Sequence, residues 1–121
     1  MNIQKVVGEL KKLYPGKNII FNDPDNPTEI ICEVEPGNLT PDRSVIIAVL
    51  EGSVSHIHGE SKETYEVLKG ILEINIEGKT HVLQERQKIE IKSGELHNAK
   101  GRETWVKVTS TPAWIPENHK L

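Results

Sequence analysis

The chain has 121 residues and a mass of 13.6 kDa, enough for one domain that builds its core without disulfide bonds. Its 15 Lys and Arg against 18 Asp and Glu give a formal charge of −3, and aromatic residues make up only 4%, which argues against a nucleic-acid partner. With one cysteine and no long apolar stretch at the N-terminus, we expect a cytoplasmic protein that does not engage a membrane.

The first predicted element is a short helix. Asn2 is a candidate N-cap and Pro15-Gly16 a candidate stop, so residues 1–17 are predicted to form a helix and a turn. Apolar residues recur between them at helical spacing: Ile3, Val6, Val7, Leu10 and Leu13. This apolar stripe can pack on the outside of a sheet or against a second subunit.

Short β-rich runs follow the helix at regular spacing, which favours a β-sandwich or a small barrel. The predicted strands are Asn18–Phe21, Glu29–Val34, Ser44–Leu50, Val54–His58, Thr64–Leu68, Ile71–Ile76, Thr80–Leu83, Lys88–Ile91 and Thr104–Thr109. The turn Glu77-Gly78-Lys79 predicts a hairpin between the sixth and seventh runs. The tail, residues 110–121, contains two prolines and is predicted to be extended.

Metal-capable side chains recur around the centre of the chain. His56 and His58 are two residues apart on one predicted strand, so both imidazoles can face the same side. A polar turn follows, and Glu63 begins the returning strand. His97 lies much later in the sequence, and a β-barrel can bring its side chain close to the other three. The leading hypothesis from these residues is a buried metal ion.

The same residues carry a resemblance to a known superfamily. Gly52, His56-Ile57-His58, Glu63 and Gly70 resemble the first conserved motif of the cupins, and Gln87 to His97 resembles the second. The resemblance covers roughly residues 43–109. It implies an all-β, cupin-type double-stranded β-helix, or jelly-roll barrel, with a short N-terminal helix, as a single domain. The second motif departs from the family at three scaffold positions: Arg86 replaces Gly, Lys92 replaces Pro and Gly101 replaces Asn.

The resemblance also implies a ligand set. His56, His58, Glu63 and His97 would bind one divalent transition metal inside the barrel. Three imidazoles and one carboxylate suit Mn, Fe, Co, Ni or Zn, and suit Ca or Cu(I) poorly. The alternative is a barrel that keeps these side chains but has lost its metal.

Other residues are weaker candidates for the site. Tyr65 should face the same side as Glu63 and either contact a substrate or pack in the barrel. Glu60 and Glu95 are carboxylates near the motifs and weak candidates for catalysis. Candidates for substrate binding are Arg43, Lys62, Lys92 and Lys107, the last only if its strand face points inward, and an outward face is favoured. Structural roles are expected for His81, His119 and Cys32.

The length and the segments around Pro41 to Val45 and Trp105 to Trp114 look most like small cupins similar to mannose-6-phosphate isomerase. This resemblance implies a metal-dependent isomerase of a sugar or sugar phosphate, and short cupins of this kind are expected to be homodimers. Two alternatives stay open, because fold does not determine function. One is an Fe(II)-dependent dioxygenase, and the other is a metal-stabilised module that binds a small polar ligand without turnover.

Overall fold

The computed structural model describes residues 1–39, 41–53 and 61–113, and the backbone alone of residues 57–58 and 119–120. Its elements are helix α1 Ile3–Leu13 and strands β1 Asn18–Phe21, β2 Glu29–Glu35, β3 Ser44–Gly52, β4 Ile57–His58, β5 Lys62–Lys69, β6 Leu72–Ile76, β7 Lys79–Leu83, β8 Lys88–Ile91, β9 His97–Thr111 and β10 His119–Lys120. Every strand pairing among them is antiparallel. Among these residues no helix has the length and apolarity of a membrane span.

Helix α1 begins and ends where the sequence predicts. The Asn2 side chain accepts a hydrogen bond from the Lys5 backbone N–H at 3.1 Å, which caps the first turn. Gly16 follows the helix with a φ of 78°, a conformation that reverses the chain most easily at glycine. The helix buries Val6 and Leu10 against the outer face of the sheet. The apolar stripe therefore packs on the outside of the sheet, as the first of the two alternatives predicts.

The sheet runs in the order β1-β2-β3-β9-β5-β8, with β6 pairing with both β7 and β9. Because side chains alternate along each strand, the sheet has two apolar faces. The inner core comprises Ile46, Ala48, Leu50, Tyr65, Val67, Leu72, Ile74, Ile76, Leu83, Ile91, Ala99, Val106 and Val108. The outer core, under the helix, comprises Val6, Leu10, Ile30, Cys32, Ile47, Val49 and Trp105. Strand β3 contributes to both, which is why its residues Ser44–Leu50 are all buried.

Strand β9 is much longer than the sequence predicts, starting at His97 instead of Thr104. Its second half pairs with β3 and β5, while residues 97–100 pair with β6. The bend between the halves contains Gly101, where a Cβ would collide with the Thr104 hydroxyl. That hydroxyl donates to the Ile71 carbonyl at 2.7 Å and accepts from the Arg102 N–H at 3.2 Å. Glycine at this position is thus a steric requirement of the bend.

The departure at Arg86 also has a backbone explanation. Arg86 has a φ of 73°, the left-handed conformation that a glycine adopts more easily. Its N–H donates to the Val67 carbonyl at 2.7 Å, which ties this turn to β5. Arg86 therefore adopts, at the position where the family motif has glycine, a conformation that glycine adopts easily.

The helix packing can be tested with two leucines on the same element. Leu10 is fully buried and Leu13 is 60% exposed. We expect Leu10→Ala to lower the free energy of unfolding by about 2–5 kcal/mol, because it leaves a cavity in the outer core. Leu13→Ala is the control and should change it by less than about 0.5 kcal/mol. Chemical denaturation measures both, and equal effects would contradict the assigned orientation of the helix.

Candidate functional site

The centre of the candidate site is a contact between Glu63 and His97 inside the inner core. Glu63 lies on β5 opposite Ser110, and His97 begins β9 opposite Ile76. Their exposed fractions are only 3% and 2%. The His97 Nε2 atom lies 3.3 Å from the Glu63 Oε1 atom. The bend in β9 makes this contact possible, because it folds the start of the strand towards Glu63, which sits beside the other end of the same strand.

The second ring nitrogen of His97 is held by the backbone. Its Nδ1 atom lies 3.0 Å from the Glu95 carbonyl oxygen. A carbonyl only accepts, so Nδ1 donates the proton, and in the neutral ring Nε2 is left with its lone pair facing Glu63. Burial lowers the pKa of His97, but in the protonated ring Nε2 donates to the Glu63 carboxylate and Nδ1 to the Glu95 carbonyl, and these hydrogen bonds outweigh burial, so the pKa is raised overall.

The turn before His97 explains both Lys92 and Glu95. The Glu95 carboxylate accepts a hydrogen bond from the Lys92 backbone N–H at 2.8 Å, a donor that a proline in this position would lack. Gly94 between them has a φ of 83°. Glu95 thus closes its own turn with its side chain and orients His97 with its carbonyl. The structure places this weak catalytic candidate in a supporting position.

Glu63 is oriented in a similar way. Its Oε2 atom accepts a hydrogen bond from the Ser110 hydroxyl at 3.3 Å, and its Oε1 atom faces His97. In metal sites, groups that hold the far atoms of a carboxylate or imidazole fix the direction of the ligand atoms. Ser110 holds the far oxygen of Glu63 in this way, and the Glu95 carbonyl holds the far nitrogen of His97.

The spacing of the pair fits two ligands of one ion. Two donor atoms that each lie about 2.1 Å from a metal, at angles of about 90–110°, are about 3.0–3.4 Å apart. The observed 3.3 Å between Nε2 and Oε1 falls in that range. Within the described residues, no group of three or more candidate ligands comes together. His56 and the side chain of His58 lie outside those residues, so the full set of four stays a prediction.

Tyr65 adds a buried phenol beside the pair. It lies on the Glu63 side of β5, as strand alternation predicts, and is 7% exposed. Its ring meets the His97 ring edge to face, with centroids 6.2 Å apart and an interplanar angle of 86°. Burial, followed by the charges of Glu63 and Glu29, raises its pKa well above the ordinary value. Tyr65 is therefore a neutral hydrogen-bond donor at physiological pH.

Glu29 is a fourth polar group of the site, and the sequence analysis did not single it out. It begins β2 opposite Leu50 of β3, on the same side as Ile31, which packs against the inner core. Burial, and then the negative charge of Glu63, raises the pKa of Glu29 to about 7, although His97 acts in the opposite direction. Ile30 and Cys32, two residues apart, face the outer core, so the neighbouring Glu29 faces the inner side of the strand. That alternation is the signal in the sequence that could have identified it.

Of the four Lys and Arg candidates for substrate binding, three are exposed and Lys107 is half-buried on the outer face of the sheet. Arg43 is exposed and 3.5 Å from Glu35, and Lys62 is exposed and 3.8 Å from Glu90. Lys92 is also exposed. Lys107 shares the outer face of β9 with Trp105, as the sequence analysis favoured. Glu60 lies outside the described residues.

Neither Cys32 nor His81 belongs to the inner core. Cys32 belongs to the outer core, where burial raises the pKa of its thiol and keeps it unreactive. His81 is exposed on β7. For His119 the backbone places it opposite His58 in the β4–β10 pair. A groove of about 510 Å³ between Gly70 and Arg102 is lined by none of Glu29, Glu63, Tyr65 and His97.

An antiparallel β-roll that holds a carboxylate and an imidazole in its interior, with one short helix outside, defines the cupin class of fold. The prediction of an all-β, cupin-type jelly roll with a short N-terminal helix is confirmed by comparison with solved structures. No family model and no curated protein sequence matches the chain. The structural likeness therefore establishes the fold and leaves the subtype open.

Three solved structures illustrate the likeness. Pac13 of Streptomyces, described as a unique nucleoside dehydratase, has a TM-score of 0.76 at 12% identity, covering 88% of this chain and 85% of its own. KdgF from a Halomonas species has a TM-score of 0.67 at 17% identity, covering 78% and 87%. The cupin domain of Schizosaccharomyces pombe Cnp3 has a TM-score of 0.66 at 12% identity, covering 81% and 70%.

The ligand set can be tested by elemental analysis of protein purified without added metal. We expect about one transition-metal ion per chain in the unaltered protein. Glu63→Gln and His58→Ala should each weaken metal affinity by at least about 10–100-fold, because each removes a predicted ligand. Glu66→Gln is the matched control, since Glu66 alternates to the other side of β5. Full metal content in both ligand variants would contradict the assignment.

The raised pKa of Glu29 has a consequence for metal-free protein. A carboxyl whose pKa rises from 4.5 to about 7 on folding destabilises the fold increasingly as pH rises from about 4.5 to 7. Glutamine cannot ionise, so Glu29→Gln should stabilise the chelator-treated protein by up to roughly 3 kcal/mol at pH 8, and by much less at pH 5. Melting temperatures at the two pH values measure this. A variant less stable than the parent at pH 8 would contradict the inferred environment.

Proposed function

We propose that this chain is a metal-dependent cupin enzyme that isomerises a small sugar or sugar phosphate. The observation that supports this most is the buried Glu63–His97 pair, with donor atoms at a spacing that suits one metal ion. Tyr65 lies next to it as a neutral donor. Together they would provide a metal-binding centre and a hydrogen-bond donor beside the apolar inner core.

In this proposal Glu63 and His97 hold the metal together with His56 and His58, which the cupin resemblance supplies. A divalent Mn, Fe, Co, Ni or Zn ion bound there would polarise the carbonyl and hydroxyl oxygens of a sugar and favour negative charge on them. Tyr65 would donate a hydrogen bond to a substrate oxygen. The inner core around them excludes water, which strengthens these interactions.

The substrate class is supported by the chemistry of the site. Carboxylate, imidazole and phenol groups recognise molecules rich in hydroxyl and carbonyl oxygens. Among the solved structures of similar fold, Streptomyces Pac13 is described with uridine, an oxygen-rich small molecule. A homodimer with no nucleic-acid or membrane partner is part of the same proposal, and light scattering of the purified protein tests the dimer.

The test of function is exchange of substrate C–H protons with D₂O. We expect metal-loaded protein to exchange one proton, and to form product, with at least one member of a panel of aldoses, ketoses and their phosphates. Isomerisation moves a proton between adjacent carbons, and that proton can exchange with solvent. Chelator-treated protein is the control and should be inactive. If no panel member exchanges, the isomerase proposal is wrong. Ligand binding without exchange would then indicate a binding module, and substrate-dependent O₂ uptake with iron a dioxygenase.

A further inference from the structure

One face of the sheet formed by β7, β6 and the start of β9 is open to solvent. Along β6, Leu72 and Ile74 belong to the inner core, so Glu73 between them points outward. Val82 of β7 and Lys100 of β9 stand directly opposite Glu73 and point the same way. All three side chains are exposed, Val82 by 65%. Helix α1 covers the outer face at β2 and β3, whereas the described part of the chain leaves this face uncovered.

An exposed apolar side chain lies beside a hollow on this face. Ile71, two residues before Glu73, is 58% exposed. The hollow next to it has a volume of about 510 Å³, and Gly70, Gly101 and Thr104 line it together with Ile71. The two glycines carry no side chain that would fill it. A single exposed isoleucine is ordinary on a protein surface, but here a projection and a cavity of suitable size lie side by side.

Opposite charges lie on two adjacent strands of the same face. Glu73 of β6 pairs in register with Lys100 of β9, and Arg102 follows two residues later. All three residues line the hollow and are exposed. With the residues that the structure describes, none of the three side chains forms an ion pair or a hydrogen bond. Negative charge on β6 therefore lies about 5 Å from a row of positive charge on β9.

This arrangement is complementary to itself. A second copy can face the first across the usual sheet-packing distance of about 10 Å, turned by 180° about an axis parallel to the strands and midway between β6 and β9. The rotation places β6 of each copy over β9 of the other, so Glu73 of each copy faces Lys100 of the other. It preserves position along the strands, so Ile71 of each copy lies over the hollow of the other. Self-complementarity of this kind is what a two-fold interface requires.

We propose that this surface, defined by Ile71, Glu73, Lys100 and Arg102 and called the β6–β9 face, is where two copies of this chain associate. The inference rests on the proposed homodimer and not on the isomerase chemistry. A second copy fits better than other partners, because the face carries charges of both signs. A nucleic acid or an acidic protein would be matched by positive charge alone.

The symmetry repeats each contact. Two Glu73–Lys100 ion pairs form, one on each side of the axis, and the two Ile71 side chains lie near each other between the hollows. The stem of Arg102 lies over Ile71 of the other copy and covers its apolar surface. The face is the reverse side of the strand that begins with the buried His97, so the two candidate sites point away from the interface.

The experiment measures the dimer dissociation constant by sedimentation velocity over a series of protein concentrations. We expect Ile71→Asp, Lys100→Glu and Glu73→Lys each to raise it by at least about tenfold, because each places an unmatched charge in the interface. The double variant Glu73→Lys/Lys100→Glu exchanges the two charges and should return to within about threefold of the wild type. Leu39→Asp is the matched control, since Leu39 is 74% exposed and lies outside the β6–β9 face.

The outcomes separate the interface from the homodimer. A wild type that stays monomeric at every concentration overturns both. A dimer that persists unchanged in Ile71→Asp and Lys100→Glu overturns the interface and leaves the homodimer intact. A double variant that remains as weak as the single ones also overturns the interface, because the Glu73–Lys100 contacts are then wrong. Unchanged melting temperatures show that a lost dimer is not a lost fold, and recovery in the double variant gives the same answer independently.

Discussion

The contact between Glu63 and His97 is the constraint around which this protein is organised. An imidazole and a carboxylate, each nearly inaccessible to solvent, meet at 3.3 Å inside an otherwise apolar core. Burying such groups is unfavourable unless each is tightly coordinated by its surroundings. Ser110 and the Glu95 carbonyl provide that coordination at the far atoms, and the near atoms are left to face each other. The spacing of the near atoms is compatible with the predicted pair of metal ligands.

The bend in β9 brings this pair together, and separate local interactions accompany the departures of the second cupin-like motif. Gly101 allows the Thr104 hydroxyl to pack against the backbone at the bend. Lys92 keeps an N–H that closes the turn through Glu95, and Arg86 takes a left-handed conformation usual for glycine. Each departure from the family pattern is thus accompanied by a local interaction or backbone conformation of its own. The segment still places His97 in the interior, although its amino acids differ from the motif at these positions.

The electrostatics of the interior connect stability with the proposed chemistry. Glu29 and Glu63 are like charges whose interaction, together with burial, raises the pKa of Glu29 to about 7. Tyr65 is held neutral by the same surroundings. In metal-free protein this arrangement opposes folding, and the positive charge of a bound metal would offset part of that opposition. The proposed metal binding and the stability of the metal-free fold therefore favour different arrangements of these side chains.

Local patterns in the sequence determined the elements and the side of each strand that faces inward. Alternation alone placed Tyr65 beside Glu63, and the capping residue Asn2 marked the start of the helix. The tertiary structure decided which side chains come together. Alternation along a strand assigns each side chain to a face of the sheet, but it gives no distance between strands that are far apart in sequence. Only the helix packing on Trp105 shows that Lys107 faces outward. Only the pairing of β9 with β6 at its start and with β5 at its other end brings His97 and Glu63, which are far apart in sequence, into contact.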